Sequence, residues 1–167
     1  WKGLKDLYAI GFIDRLPRLI SAQAEGCHPI NRAIAENRPW QPMEENTLAD
    51  SIAVGVPRNA DKALMAIRES HGLVVNVSDE EIMAAQKLLG MTCGVFGEPA
   101  GVTGTAGVKK LCEQGIIGKN DTVVYVVTGN GLKDVANAIK FCGEPMKLPN
   151  DLSLLTAEFD RRGIVTD

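Results

Sequence analysis

The six residues Thr122-Val123-Val124-Tyr125-Val126-Val127 form an uncharged run of β-branched and aromatic side chains. A run without alternation predicts a strand buried on both faces, which needs a sheet with helices on each side. The rest of the chain supplies candidates for both layers. Arg18 to Ala24 predicts a short strand closed by the turn-prone Glu25-Gly26, Leu73 to Val77 a second, and Gly94 to Phe96 a brief third. Helical periods are expected over Trp1 to Ile10, Pro29 to Glu36, Ala60 to about Ser70, Asp79 to about Gly90, and from Pro99 to about Gln114. This alternation predicts an α/β fold with an open, mostly parallel sheet flanked by helices.

Local signals sharpen the boundaries. Asn59 is placed to cap the helix whose inward face is Ala63, Leu64 and Ile67, and Gly72 to end it. Ser78 with Glu81 three residues on has capping-box spacing. Asn37 to Asn46, with Pro39, Trp40 and Pro42, shows no period and reads as a long connection of the kind that carries function.

With 167 residues, 45% of them hydrophobic and 23% charged, the chain is long enough for one core. A net charge of -3 gives no basic field for phosphate backbones, so nucleic acid is not an expected partner. No apolar run approaches the ~20 residues of a membrane span, and no signal-peptide segment opens the sequence, so no membrane association and a cytoplasmic location are expected. Cys27, Cys93, Cys112 and Cys142 stand far apart without metal-ligand spacing and read as reduced, mostly buried thiols. Trp1 is no translation start, and no capping residue precedes the first helix. The expectation is therefore a fragment of a longer protein.

In parallel sheets ligands bind at the carboxyl ends of strands, and the strongest strand here ends in Thr128-Gly129-Asn130-Gly131. The glycines let a ligand approach and Thr128 offers a hydroxyl, although a plain turn explains the same residues. In Glu98 to Gly107, the glycines Gly101, Gly104 and Gly107 each cost a helix about 1 kcal/mol relative to alanine. Close packing against the sheet would offset that cost. A helix start facing a flat ligand is compatible with it. His28 and His71 lie in no nucleophile arrangement, and Asp79, Glu80 and Glu81 read as first-turn charge rather than a metal site.

Taken in order, Arg15-Leu16-Pro17-Arg18, Gln23-Ala24-Glu25-Gly26, Ala63 to Gly72, Val77 to Ile82, Glu98-Pro99-Ala100 and Val127 to Asp134 resemble the threonine synthase family over nearly the whole chain. The last segment is close to a family pattern, T-G-H-G-L-K-D, from which Asn130 departs. The resemblance implies the tryptophan-synthase β fold group of pyridoxal-phosphate enzymes, in which two α/β domains enclose the cofactor. Residues 1–142 would be the C-terminal part of the cofactor-binding domain and 143–167 a tail with a short helix. The lysine that forms the Schiff base is then expected upstream of Trp1, so no catalytic residue is assigned here and the chain alone is expected to be inactive.

Carried over by resemblance, Thr128 matches the hydroxyl partner of the pyridine nitrogen, Ser51 a small residue beside the cofactor, and Glu98 the start of a helix facing the ring. The implied parent reaction turns O-phospho-L-homoserine and water into L-threonine and phosphate, in a homodimer. Cysteate synthase and the serine and threonine dehydratases share the fold and remain alternatives, as does a non-catalytic module that associates with itself. Lys133 is expected to face solvent or a carboxylate.

Overall fold

The computed structural model describes residues 1–143, 147–148 and 150–164, apart from the side chain of Cys142. Helix α1 (Lys2–Ala9) leads to strand β1 (Ile20–Ala24), helices α2 (Pro29–Ala35) and α3 (Ala60–Glu69), strand β2 (Leu73–Val77) and helices α4 (Asp79–Cys93) and α5 (Pro99–Glu113). Helices α6 (Val135–Cys142) and α7 (Leu152–Arg162) follow a 3-10 turn at Gly131–Asp134. Pro145 and Pro149, within the expected tail, lie outside the described residues.

β1 and β2 pair in parallel, with Ile20 opposite Leu73 and Ala24 opposite Val77. Successive strand residues point to opposite faces, so Val75 joins one core cluster and Val74 packs on another. The first cluster brings Ala24, Val75 and Val77 against Ile82 and Ala85 of α4 and Val102, Ala106 and Leu111 of α5. The second brings Ile30 and Ala33 of α2 against Ala60, Leu64 and Ile67 of α3. Helices thus cover both faces of the sheet. The Asn31 side chain ties α2 to it, with Nδ2 2.9 Å from the Val75 carbonyl and 2.7 Å from Asn76 Oδ1.

Glycine spacing makes the α5 contact possible. A Cβ on Gly107 would stand 2.9 Å from Val75 Cγ1 and 3.0 Å from the Ala22 Cβ, so the helix lies directly on the two strands. Packing therefore offsets the propensity cost at this position. Ser78 caps α4 as its spacing predicts: its hydroxyl accepts from the Glu81 N–H, and the Glu81 carboxylate accepts from the Ser78 N–H at 2.7 Å.

Several expectations are corrected. Thr122 to Val127 forms no strand among the described residues and is not buried on both faces, since Val124 is 86% and Val126 74% exposed. Tyr125 and Val127 pack inward, but no neighbouring strand within the described chain covers the other side. Gly94 to Phe96 is not a strand either. Helix α4 runs past Gly90 to Cys93, Gly94 closes it at φ 66°, and the short remainder makes one isolated bridge, Gly97 with Asn130. Asn59 stands at the α3 N-cap without a side-chain cap bond. At the other end His71, not Gly72, takes the positive φ, while the Gly72 N–H returns to the Ile67 carbonyl. Gly72 faces the Leu19 carbonyl, 2.3 Å from where a Cβ would stand. Of the described thiols only Cys27 is buried, because Cys93 and Cys112 lie at the outward ends of α4 and α5.

Candidate functional site

The segment Thr47 to Ile52 is held to the start of α4 by Asp79, whose carboxylate accepts from the Thr47 hydroxyl at 2.5 Å and the Leu48 N–H at 3.0 Å. Ala49 is fully buried, and the 3-10 turn Asp50–Ile52 follows. Ser51 is exposed on that turn and donates its hydroxyl to Asp50 Oδ1 at 3.0 Å. Asp79 thus acts as a tether, and no group of three potential metal ligands occurs among the described residues.

Glu98 is the N-cap of α5, followed by Pro99 in the first turn, where its missing N–H costs nothing. Its carboxylate is 8% exposed and pairs with Lys133 at 3.0 Å, so the lysine meets a carboxylate as expected. The Glu98 N–H donates to the Gly129 carbonyl at 2.9 Å. Gly101 meets the same loop: a Cβ there would be 3.1 Å from the Gly129 N and 3.4 Å from the Thr128 N. Gly104 faces the Tyr125 ring, whose hydroxyl lies 2.6 Å from Thr105 Oγ1. The small residues of α5 therefore seat both the sheet and the segment ending in Thr128.

Thr128 is exposed, and a side chain on the next residue, Gly129, would have to displace the Glu98 carboxylate. A Cβ on Gly129 would fall 1.8 Å from Glu98 Oε1. Asn130 turns its side chain inward on its own loop, accepting from the Leu132 N–H at 2.9 Å. The Gly131 N–H donates to the Phe96 carbonyl at 2.9 Å.

A cleft of about 250 Å³ is lined by Leu48, Asp50, Ser51, Glu98, Lys133, Asp134 and Asn137. It brings Ser51 and Glu98 together. Thr128 is not part of its lining and stands one residue before Gly129, which touches Glu98. His28 stays apart, with Nδ1 2.7 Å from the Glu25 carbonyl.

Residues 1–129 match the family of pyridoxal-phosphate dependent enzymes. The chain belongs to this family. This pyridoxal-phosphate enzyme chain is 43% identical over 159 residues to the threonine synthase of Methanocaldococcus jannaschii, a match covering 93% of it and 39% of that protein. It is 46% identical over 147 residues to the threonine synthase of Methanosarcina acetivorans, covering 87% and 36%. With that of Mycobacterium tuberculosis it shares 37% over 151 residues, covering 90% and 40%. The chain thus spans about two fifths of the length of these curated relatives. In fold it is similar to maize serine racemase, with a TM-score of 0.57 at 18% identity, covering 80% of this chain and 40% of that one.

The α/β fold and the pyridoxal-phosphate enzyme family expected from the sequence are thereby upheld. The local chemistry suits a flat heteroaromatic cofactor: an exposed threonine hydroxyl at Thr128, glycine backbone around it at Gly101 and Gly129, and a half-enclosed polar cleft beside it. Leu48, Asp50, Asp134 and Asn137 were not singled out from the sequence. For Asp134 the run Leu132-Lys133-Asp134, directly after the glycine loop, was the available signal.

Proposed function

We propose that this chain is the C-terminal part of a threonine-synthase-type enzyme, whose whole protein converts O-phospho-L-homoserine and water to L-threonine and phosphate. The observation that carries the reading is Thr128, exposed beside the start of α5 in a chain similar to threonine synthases along most of its length. The bound cofactor would supply an electron sink for carbanion chemistry. Thr128 would hold the ring nitrogen by a neutral hydroxyl, which imposes no proton there as a carboxylate would. Ser51 would pack beside the ring, and Glu98 would anchor the helix that faces it.

The lysine that binds the cofactor covalently is assigned to the part of the relatives this chain does not span. The chain alone is then inactive. Residues 1–142 are assigned to the cofactor-binding domain and 143–167 to a tail. The whole protein is assigned to the cytoplasm as a homodimer that binds no nucleic acid. No helix among the described residues is long and apolar enough to cross a membrane.

Incubating the chain with pyridoxal phosphate, reducing with borohydride and mapping pyridoxyl-lysine by mass spectrometry tests the placement of that lysine. Thin labelling over surface lysines is expected, whereas stoichiometric labelling of one lysine would place the cofactor site within this chain. A chimera joining the preceding part of the Methanocaldococcus relative to this chain should release phosphate from O-phosphohomoserine. If it folds and binds the cofactor yet releases none, the assigned reaction is wrong.

A second reading, a non-catalytic module that self-associates, is favoured by bare Val124 and Val126. Unpaired strand-like backbone is a template for pairing with another chain.

A further inference from the structure

The loop from Thr128 to Lys133 is tied to the start of α5 at three points. The Gly129 carbonyl accepts from the Glu98 N–H, the Gly131 N–H donates to the Phe96 carbonyl, and Lys133 Nζ reaches back 3.0 Å to Glu98 Oε2. The first two are backbone bonds at glycines, where a Cβ would meet the Glu98 carboxylate and the Phe96 ring. Only the third depends on side chains, and it joins an ammonium that is 62% exposed to a carboxylate that is 8% exposed.

The same carboxylate fills the space where a side chain on Gly129 would begin, with Oε1 1.8 Å from the place of a Cβ. One residue therefore contacts the loop by its main chain, its Oε1 and its Oε2. Its rotamer sets where the Thr128–Gly129 peptide can lie. A buried carboxylate is costly unless paired, and the one ion pair it makes among the described residues is with Lys133.

We propose that Lys133 is a positioning residue: by fixing the Glu98 carboxylate against Gly129, it sets the place of Thr128 at the cofactor edge of the cleft. The inference rests on the reading of Thr128 as the ring-nitrogen partner for its purpose, but its geometry does not involve the cofactor. Lys133, at the rim of the cleft, acts on Thr128 through Glu98. Arginine at this position would keep the charge and the reach, whereas methionine would keep only the bulk.

The test is backbone amide NMR with hydrogen exchange on the purified chain carrying K133M, K133R, E98Q and the double change E98Q/K133M. In K133M the Thr128 and Gly129 amide resonances should shift. Exchange at the Glu98 and Gly131 amides should quicken about two- to fivefold, in keeping with a partly exposed ion pair, while the amides of β2 stay unchanged. K133R should restore the wild-type positions, and K133M should add nothing in the E98Q background. Unshifted Thr128 and Gly129 resonances in K133M, or a K133M effect that persists in the E98Q background, would overturn the proposal. The cofactor reading is tested separately in the chimera that joins the preceding part of the Methanocaldococcus relative to this chain. A Thr128 amide that ignores saturating pyridoxal phosphate there would leave the clamp standing and remove the cofactor reading.

Discussion

Lys110 Nζ lies 2.9 Å from Glu81 Oε2, joining the second half of α5 to the first turn of α4. The same ammonium donates to the Asn76 carbonyl of β2 at 2.9 Å, so one side chain links both helices to the sheet. Burial pushes the Glu81 carboxyl up, but the Ser78 N–H and the Lys110 ammonium outweigh it and hold the group below its usual 4.5. The hydrogen bond to Glu81 raises Lys110 above 10.5.

K110M should therefore destabilise the chain by about 0.5–1 kcal/mol at neutral pH, a figure reduced because both groups are partly exposed. Glu81 titrates lower when folded than unfolded, so its contribution is full above about pH 4.5 and is lost as the pH falls below that value. Lys110 titrates higher when folded, so its contribution is full below about pH 10.5 and disappears as the pH rises above it. Urea unfolding of wild type and K110M at pH 7 and pH 3 should show the difference between them shrinking at the lower pH. An undiminished difference would mean that Lys110 acts by packing alone.

Two helical glycines should respond oppositely to alanine. At Gly107 the new Cβ meets Val75 and Ala22 at 2.9 and 3.0 Å, and the overpacking cost of about 1–3 kcal/mol exceeds the propensity gain of about 1. At Gly90 nothing lies within 4 Å, so alanine gains helix propensity without a clash. G107A should lower the thermal midpoint and G90A raise it. A stabilising G107A would show that α5 can lift off the strands at little cost.

The chain shows its local order in sequence wherever a residue's role is set by its neighbours. The Ser78–Glu81 box is legible because its two bonds span three residues. Leu73 to Val77 is legible because its apolar run is bounded by a helix end and a helix cap. Thr122 to Val127 carries a stronger β signal than either described strand, yet among the described residues it pairs with no strand, because pairing depends on a partner that composition does not report. At the site, Thr128 and Glu98 could be singled out by the glycines around them. The cleft itself, formed where Ser51 meets Lys133 and Asn137, joins segments about 80 residues apart and leaves no periodic trace.

Thiol chemistry should separate Cys27 from the outward cysteines. Cys27 is 1% exposed and burial pushes its thiol up, whereas Cys93 and Cys112 are exposed. In a C142S chain, iodoacetamide should modify Cys93 and Cys112 promptly and Cys27 about 100-fold more slowly, since reaction there needs local opening. Comparable rates, followed by peptide mass spectrometry, would mean that β1 and its turn open freely in solution.

The exposed valines predict association more than stability. Val124 and Val126 alternate with Tyr125 and Val127, which pack inward, so one face of this extended segment is settled on α5 and the other is bare. Charge placed on the bare face removes no core contact and should change unfolding free energy by less than about 0.5 kcal/mol. Paired with another chain, the same positions would be buried, and a lysine there would cost far more. V124K/V126K should therefore leave the thermal midpoint nearly unchanged while shifting the chain toward monomer in size-exclusion chromatography with light scattering. If the wild-type chain is already monomeric at high concentration, this face does not drive self-association. If the variant instead unfolds, the face is covered in the native protein by contacts of its own.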